Sequence, residues 1–257
     1  MNTKSLGFIG AGRITKIFLQ AFNNKRFGFK NIVVYDINSE ITTKLQKQFP
    51  AIEVAGLEKV SSLDIVVIAL HPPMIMETLE KIVPYVSDKS LVLSLAPKVK
   101  IAGIANKLNT VTKIVRLIPN ATSVINEGYN PVSFSVGISG NEKTEILGML
   151  NVLGETFEVP EEKLEAYAIV SAMAPTYFWF QLKKLRDIGV EIGMGKEEAN
   201  LAVYKSITAA LNTLFKSGLK SEEVFDLIPV KPIGEYEKEI ETIFDQKLKG
   251  LYSKLTS

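Results

Sequence analysis

Short unbroken apolar runs recur along the first part of the chain, and the stretches between them carry apolar residues three or four apart. The first run is 6–9. A helical pattern follows with Ile14, Ile17, Phe18 and Ala21 on one face, and then a second run, 32–35. Asn38 and Ser39 can cap a helix reaching Phe49, with Ile41 and Leu45 turned inward. Residues 51–54 give a third strand. Residues 64–70, DIVVIAL, have no polar face after Asp64, which predicts a strand buried on both sides, as in a parallel sheet covered by helices. His71-Pro72-Pro73 ends it, and Pro73 can sit in the first turn of a helix running to Tyr85. A strand at 91–95, a helix at 101–108 and a strand at 112–118 continue the alternation. Residues 132–138 alternate as another strand, 141–153 read as a helix, and 157–159 close the series. Strands alternating with helices at this spacing predict an α/β fold, a doubly wound and mostly parallel sheet of Rossmann type.

From Glu161 onward the two-residue period disappears. Helices are expected over 161–172, from Pro175 to about Gly189, over 196–216 and over 235–255. The last carries Ile240, Ile243, Phe244, Leu248, Leu251 and Leu255 at helical spacing. The expected division is therefore 1–159, an α/β domain, and 160–257, an all-helical domain. The wide stripe on the last helix can bury against a second subunit or within its own chain.

Composition narrows the class. The 257 residues are 46% hydrophobic and 23% charged, as in soluble globular proteins. A formal net charge of +2 gives no case for a nucleic-acid partner or an anionic membrane. There is no cysteine and one histidine, which excludes disulfides and thiolate sites and leaves no common metal-ligand set. The first strand opens at Leu6 with no charged-then-apolar leader before it, and the uncharged run 166–181 is broken by Pro175. A cytoplasmic protein without a membrane span is the expectation.

The candidate chemistry begins at GFIGAGRIT, residues 7–15, between the first strand and the first helix. Gly10 permits a tight turn and Gly12 lets the backbone approach a pyrophosphate. Arg13 and Ile14 open the helix whose free amides would face the phosphates. Thr15 stands where the usual pattern has its third glycine. Asp36, ending the second strand, is placed to bind the ribose hydroxyls and to repel a 2′-phosphate, which leans towards NAD. Its alternative is a turn residue facing solvent. In such sheets ligands lie outside the carboxyl ends of the strands, so Leu70, His71, Pro72 and Asn120 join the cofactor-site candidates. His71 reads as a cofactor wall or turn residue in preference to a general acid. The Asn120 amide can both donate and accept, as a carboxamide partner requires; the alternative is a turn asparagine.

Several stretches together resemble the pyrroline-5-carboxylate reductases. They are GFIGAGRIT, DIVVIALHP (64–72), KIAGIANKL (100–108), VRLIPNATSVINEG (115–128) and AIVSAMAPTYFWFQLKKLRDIGVEIGM (168–194). The resemblance covers nearly the whole chain. It implies reduction of a cyclic imine by NAD(P)H, with NADP the family's habit, and Asn120 near nicotinamide and substrate. It also implies substrate contacts at Pro175, Thr176 and Tyr177, and a homodimer or higher homo-oligomer built by the helical domain. The departures cluster in that helical domain and leave the substrate open. Ser171-Ala-Met-Ala-Pro175 replaces a Gly-containing S-G-S-G-P, Lys231–Tyr236 lacks the threonines of S-P-G-G-T-T, and Lys183 stands for a glutamate. Pro97-Lys98 takes the place of Ala-Gly.

Lys183 opens an alternative. The related 3-hydroxyacid dehydrogenases use a lysine on the corresponding helix as acid–base, although Lys184 and Arg186 beside it equally suit a solvated basic face. A non-catalytic nucleotide-binding sensor is a further alternative, and a deazaflavin cofactor a remoter one. The function expected is an NAD(P)H-dependent oxidoreductase acting on an imine-type small molecule, with Asn120 and Lys183 the catalytic candidates.

Overall fold

A computed structural model describes residues 3–256. Eight strands form one sheet in the order β3-β2-β1-β4-β5-β6-β7-β8. They are β1 (Leu6–Ile9), β2 (Ile32–Tyr35), β3 (Glu53–Val54), β4 (Ile65–Ile68), β5 (Leu91–Ser94), β6 (Lys113–Leu117), β7 (Gly128–Phe134) and β8 (Gly154–Glu158). The first six run parallel; β7 is antiparallel to β6, and β8 is parallel to β7. Helices α1 (Arg13–Asn24), α2 (Ser39–Gln48), α3 (Leu57–Ser61), α4 (Pro72–Ile82), α5 (Ile101–Leu108) and α6 (Gly140–Leu150) connect them.

The expected two-sided burial is visible residue by residue. In β4, Ile65 and Val67 enter one core layer with Phe8, Phe18 and Phe22, while Val66 and Ile68 enter the other with Ile75, Leu79 and Ile104. All four are 2% exposed or less. Alternate side chains of a strand point to opposite faces, so an uninterrupted apolar run feeds both layers. Each such side chain contributes about 1.5–3 kcal/mol on burial.

Three segments differ from the sequence expectation. Strand β7 begins at Gly128 and stops at Phe134, four residues before the alternating pattern ends. Ser135 turns the chain out of the strand: its Oγ donates to the Thr112 carbonyl and accepts from the Ile114 amide. The stretch expected as one helix over 161–172 is three short pieces, a 3-10 turn (Glu161–Lys163), α7 (Leu164–Tyr167) and a π turn (Ala168–Ala172). The Met173 amide closes the π turn on the Ala168 carbonyl at 3.0 Å. Helices α3 and α10 (Ser221–Asp226) are too short to carry a period and were not foreseen.

The chain divides into two compact units, one running to Met173 and taking in the chain from Leu251, the other Ala174–Gly250. The expected division lay at 159/160. The first unit extends further because Leu164 and Ala168 are buried with Ile118 and Val159, with Phe157, Met173 and Leu255 packed against them. The second unit holds α8 (Ala174–Glu191), α9 (Lys196–Lys216), α10 and α11 (Glu237–Thr256) as far as Gly250. Gly189 brings α8 close to α9, a Cβ there lying 3.3 Å from that of Ala199. The Tyr177 and Phe178 rings stand 5.8 and 6.4 Å from Phe244. Ala199 is the only buried residue of this unit.

Candidate functional site

At the carboxyl end of β1 the turn is shaped by two glycines that do different things. Gly10 has φ +106°, and a Cβ there would overlap the Ala69 carbonyl oxygen and lie 3.2 Å from Leu70 Cδ2. Only glycine fits. Gly12 has no such constraint, with φ −74° and nothing within 4 Å of the Cβ it lacks. It is the N-cap of α1, no side chain caps the helix, and the first turn holds no acidic residue. Uncapped amides behind an open glycine, with exposed Arg13 beside them, fit a pyrophosphate. Thr15 is 0% exposed and its hydroxyl donates to the Gly10 carbonyl at 2.6 Å. The residue that departs from the glycine pattern therefore ties the turn together from the inside. Ile14 is half-buried and packs on the core beneath.

Asp36 follows β2 at the neighbouring strand end. Its Oδ2 accepts from the Ala11 amide at 2.8 Å and its Oδ1 from the Asn38 amide at 2.9 Å. Each oxygen keeps a lone pair for a further donor, and the two bonds fix the carboxylate beside the glycine turn. Asp36 is half-buried rather than pointing free into solvent.

Leu70, His71 and Pro72 stand at the end of β4. Leu70 is half-buried against the Gly10 turn, Pro72 is the first residue of α4, and exposed His71 is the N-cap with no side-chain capping bond. Asn120 lies beyond β6 and is 5% exposed. Its Oδ1 accepts from the Thr122 amide and hydroxyl, at 3.1 and 3.0 Å, and its Nδ2 donates to the Ser171 carbonyl at 3.1 Å. Its own amide donates to Asn130 Oδ1 at 2.9 Å. Both readings of this residue thus have a footing: it caps a turn, and one Nδ2 hydrogen is left for another acceptor.

A buried ionic cluster escaped the sequence reading. Arg116, in β6, is 1% exposed, and its two terminal nitrogens donate to Glu161 at 2.8 Å and Glu165 at 2.6 Å. The same carboxylate oxygens accept the Ile101 amide at 2.7 Å and the Lys98 amide at 3.1 Å. One arginine therefore fastens the β5–α5 loop to the start of the 161–173 segment. An arginine inside an apolar strand, with two glutamates four apart later on, was the available signal, because a buried guanidinium needs partners.

Within the second unit, Pro175, Thr176 and Tyr177 form the first turn of α8. Burial raises the Tyr177 hydroxyl above the usual tyrosine range. Lys183 is exposed and donates to Asp187 at 2.6 Å. That bond, followed by one from Arg186, holds the Asp187 carboxyl down to about 2. The two units are separately compact, and the sequence-predicted residues fall in both: Gly10 to Ile14, Asp36, Leu70 to Pro72 and Asn120 in the first, Pro175 to Tyr177 and Lys183 in the second. No cluster of three or more metal-ligating side chains occurs among the described residues, and no helix among them is long and apolar enough to cross a membrane.

Residues 5–98 match a family model described as NADP oxidoreductase, coenzyme F420-dependent. The chain is 22% identical over 222 residues to a pyrroline-5-carboxylate reductase of Staphylococcus saprophyticus, covering 85% of this chain and 82% of that protein. It is 23% identical over 227 residues to the Escherichia coli pyrroline-5-carboxylate reductase, covering 88% and 84%. The crystal structure of Plasmodium falciparum pyrroline carboxylate reductase with NADP bound superposes with a TM-score of 0.80 at 22% identity, over 99% of this chain and 96% of that one. The α/β sheet with a helical C-terminal region is the fold of that structure.

Proposed function

We propose that this chain, a pyrroline-5-carboxylate reductase-like NAD(P)-dependent oxidoreductase, reduces the C=N bond of a small cyclic imine. The observation that carries the reading is the Gly10–Gly12 turn, with its open, uncapped helix start and Asp36 fixed beside it. The likeness to named reductases along most of the chain supports the substrate class. A bound nicotinamide would supply hydride, and the protein's part is to hold it across the strand ends and to position the imine. Asn120 is the polar group of that edge suited to orient a carboxamide or the substrate, through its remaining Nδ2 hydrogen. Pro175, Thr176 and Tyr177 are its proposed substrate contacts. The direct test follows NADH and NADPH oxidation with 1-pyrroline-5-carboxylate. Turnover on that imine, and none on 3-keto acids or, with the oxidised cofactors, on 3-hydroxy acids, is the expected result; cofactor binding without turnover on any of them would leave a nucleotide sensor.

NADH is the proposed donor. The reading rests on Asp36, whose fixed negative charge would oppose a 2′-phosphate and whose remaining lone pairs suit ribose hydroxyls. Replacing it, Asp36→Ser, is expected to raise kcat/KM for NADPH relative to NADH by about 10-fold or more, the effect of one charge–phosphate contact. An unchanged ratio would refute the assignment.

The protein is proposed to act as a homodimer through the helical unit. Phe178, Trp179, Phe180, Leu201 and Phe215 are each at least 50% exposed, large apolar side chains that a second subunit would cover. Sedimentation velocity reads the state directly, and a concentration-independent monomer would contradict it.

A further inference from the structure

Four residues other than glycine adopt positive φ among the described residues: Arg26, Lys98, Asn109 and Asn126. Three of them stand at helix ends, where a residue of positive φ commonly turns the chain away. Arg26 follows α1, with the Phe27 amide returning to the Phe22 carbonyl, Asn109 caps α5, and Asn126 caps the 3-10 turn 121–125. Lys98 has no helix behind it. It follows β5, at the carboxyl edge of the sheet, with φ +74°. A lysine in that region carries strain of about 1–3 kcal/mol, which persists only where the surroundings impose it.

The surroundings do impose it. The Lys98 amide donates to Glu165, whose carboxylate is held in turn by the buried guanidinium of Arg116. The Ile101 amide is held likewise by Glu161, so the loop is fastened on either side of residue 99. Both glutamates are thereby committed to Arg116. The Lys98 side chain is exposed, and its ammonium enters none of the ion pairs among the described residues. A cation has thus been set on a strained, rigidly tied backbone just beyond β5, the neighbour of β4, on the carboxyl edge along which doubly wound sheets bind ligands.

We propose that Lys98 binds the carboxylate of the small molecule reduced at this edge, and so selects anionic substrates. The proposal deepens the imine-reductase reading and rests on it for the identity of the reaction, but not for the anion contact. Two variants separate charge from backbone. Lys98→Gly keeps the left-handed turn, relieves its strain and removes the ammonium; Lys98→Arg keeps a cation. Two readouts are taken on each: steady-state kinetics with 1-pyrroline-5-carboxylate, and calorimetric titration of L-proline into the cofactor-saturated protein.

For Lys98→Gly the expected result is a rise of about 10-fold or more in KM for the imine and in Kd for L-proline, with Kd for the cofactor unchanged. Lys98→Arg is expected to restore most of the affinity. A glycine variant that is more heat-stable yet keeps both constants would overturn the proposal, as would L-proline failing to bind the unsubstituted protein, or a loss confined to the cofactor. A chain that binds L-proline through Lys98 but turns over no imine overturns the reductase reading alone.

Discussion

The glycine turn gives the sharpest test, because its two glycines ought to fail in different ways when each is replaced by alanine. At Gly10 the new Cβ would sit 3.0 Å from the Ala69 carbonyl carbon and closer still to its oxygen, in a backbone with φ +106°. The positive φ costs about 1–3 kcal/mol and the overlap with a buried strand a similar amount, so Gly10→Ala is expected to lose about 2–6 kcal/mol of stability. At Gly12 the Cβ would meet nothing within 4 Å and φ is −74°. Alanine caps a helix slightly worse than glycine, by roughly 0.5 kcal/mol, and the reduced freedom of the unfolded chain returns about as much. Gly12→Ala should therefore fold as well as the parent. Its methyl group instead occupies the space a pyrophosphate needs, so cofactor affinity should fall by about 10-fold or more. Urea unfolding at constant m-value reads the first quantity and calorimetric titration of NADH the second. A Gly12→Ala protein that binds NADH normally, or that loses as much stability as Gly10→Ala, would refute the division of labour.

Three further outcomes follow from the packing and the charges. Arg116→Met leaves two carboxylates without their cation, one of them 7% exposed, and should cost about 3–5 kcal/mol in urea unfolding; a loss under about 1 kcal/mol would show that the backbone amides of Lys98 and Ile101 suffice. Glu142 is lowered from 4.5 to about 2, chiefly by its bond from Lys113 and then by those from Ser139, so its contribution is complete above about pH 4.5 and lost as pH falls towards 2. A Glu142→Gln protein should accordingly show a flatter fall in Tm across that window, and parallel curves would contradict the linkage. Lys183→Ala should retain kcat on the imine, since the side chain is exposed and already paired with Asp187; a large drop in kcat with KM unchanged would restore the acid–base role.

The parallel half of the fold was legible because each central strand is apolar at consecutive positions, and only a doubly covered sheet accepts that pattern. Less was legible at β7. Its alternation runs on to Ile138, but the strand stops where the Ser135 hydroxyl bonds to the backbone on either side of Lys113, a long-range effect no local pattern carries. The π turn before Met173 was equally out of reach, since apolar spacing in so short a segment does not distinguish helix types. For the candidate site, residue type and strand end singled out Gly10, Gly12, Asp36 and Asn120, which lie just beyond β1, β2 and β6. What the sequence withheld was each group's partners. Thr15 looked like a defect in a motif until its hydroxyl was found on the Gly10 carbonyl.

The partners also change what the carboxyl edge of the sheet can do. Arg116 and Asn120 leave the same strand and its following loop, and each reaches the 161–173 segment, one through Glu161 and Glu165, the other through the Ser171 carbonyl. Asn120 is held from behind as well, by Asn130 on its amide. The end of β6 is therefore clamped at separate points onto a segment whose last turn is a π turn rather than a plain helix. A π turn closes from residue i to i+5, as Ala168 to Met173 does here, and such single turns are frequent at functional sites. Ser171 lies in that turn, and its carbonyl is the acceptor that fixes the Asn120 amide. Orientation of the Asn120 side chain, and with it the direction of its remaining hydrogen, is set by that carbonyl together with the Thr122 amide and hydroxyl on its Oδ1. Glu165, held by Arg116, also ties the Lys98 amide, so the Asn120 side chain and the Lys98 backbone are both fastened to the 161–173 segment, at different points along it.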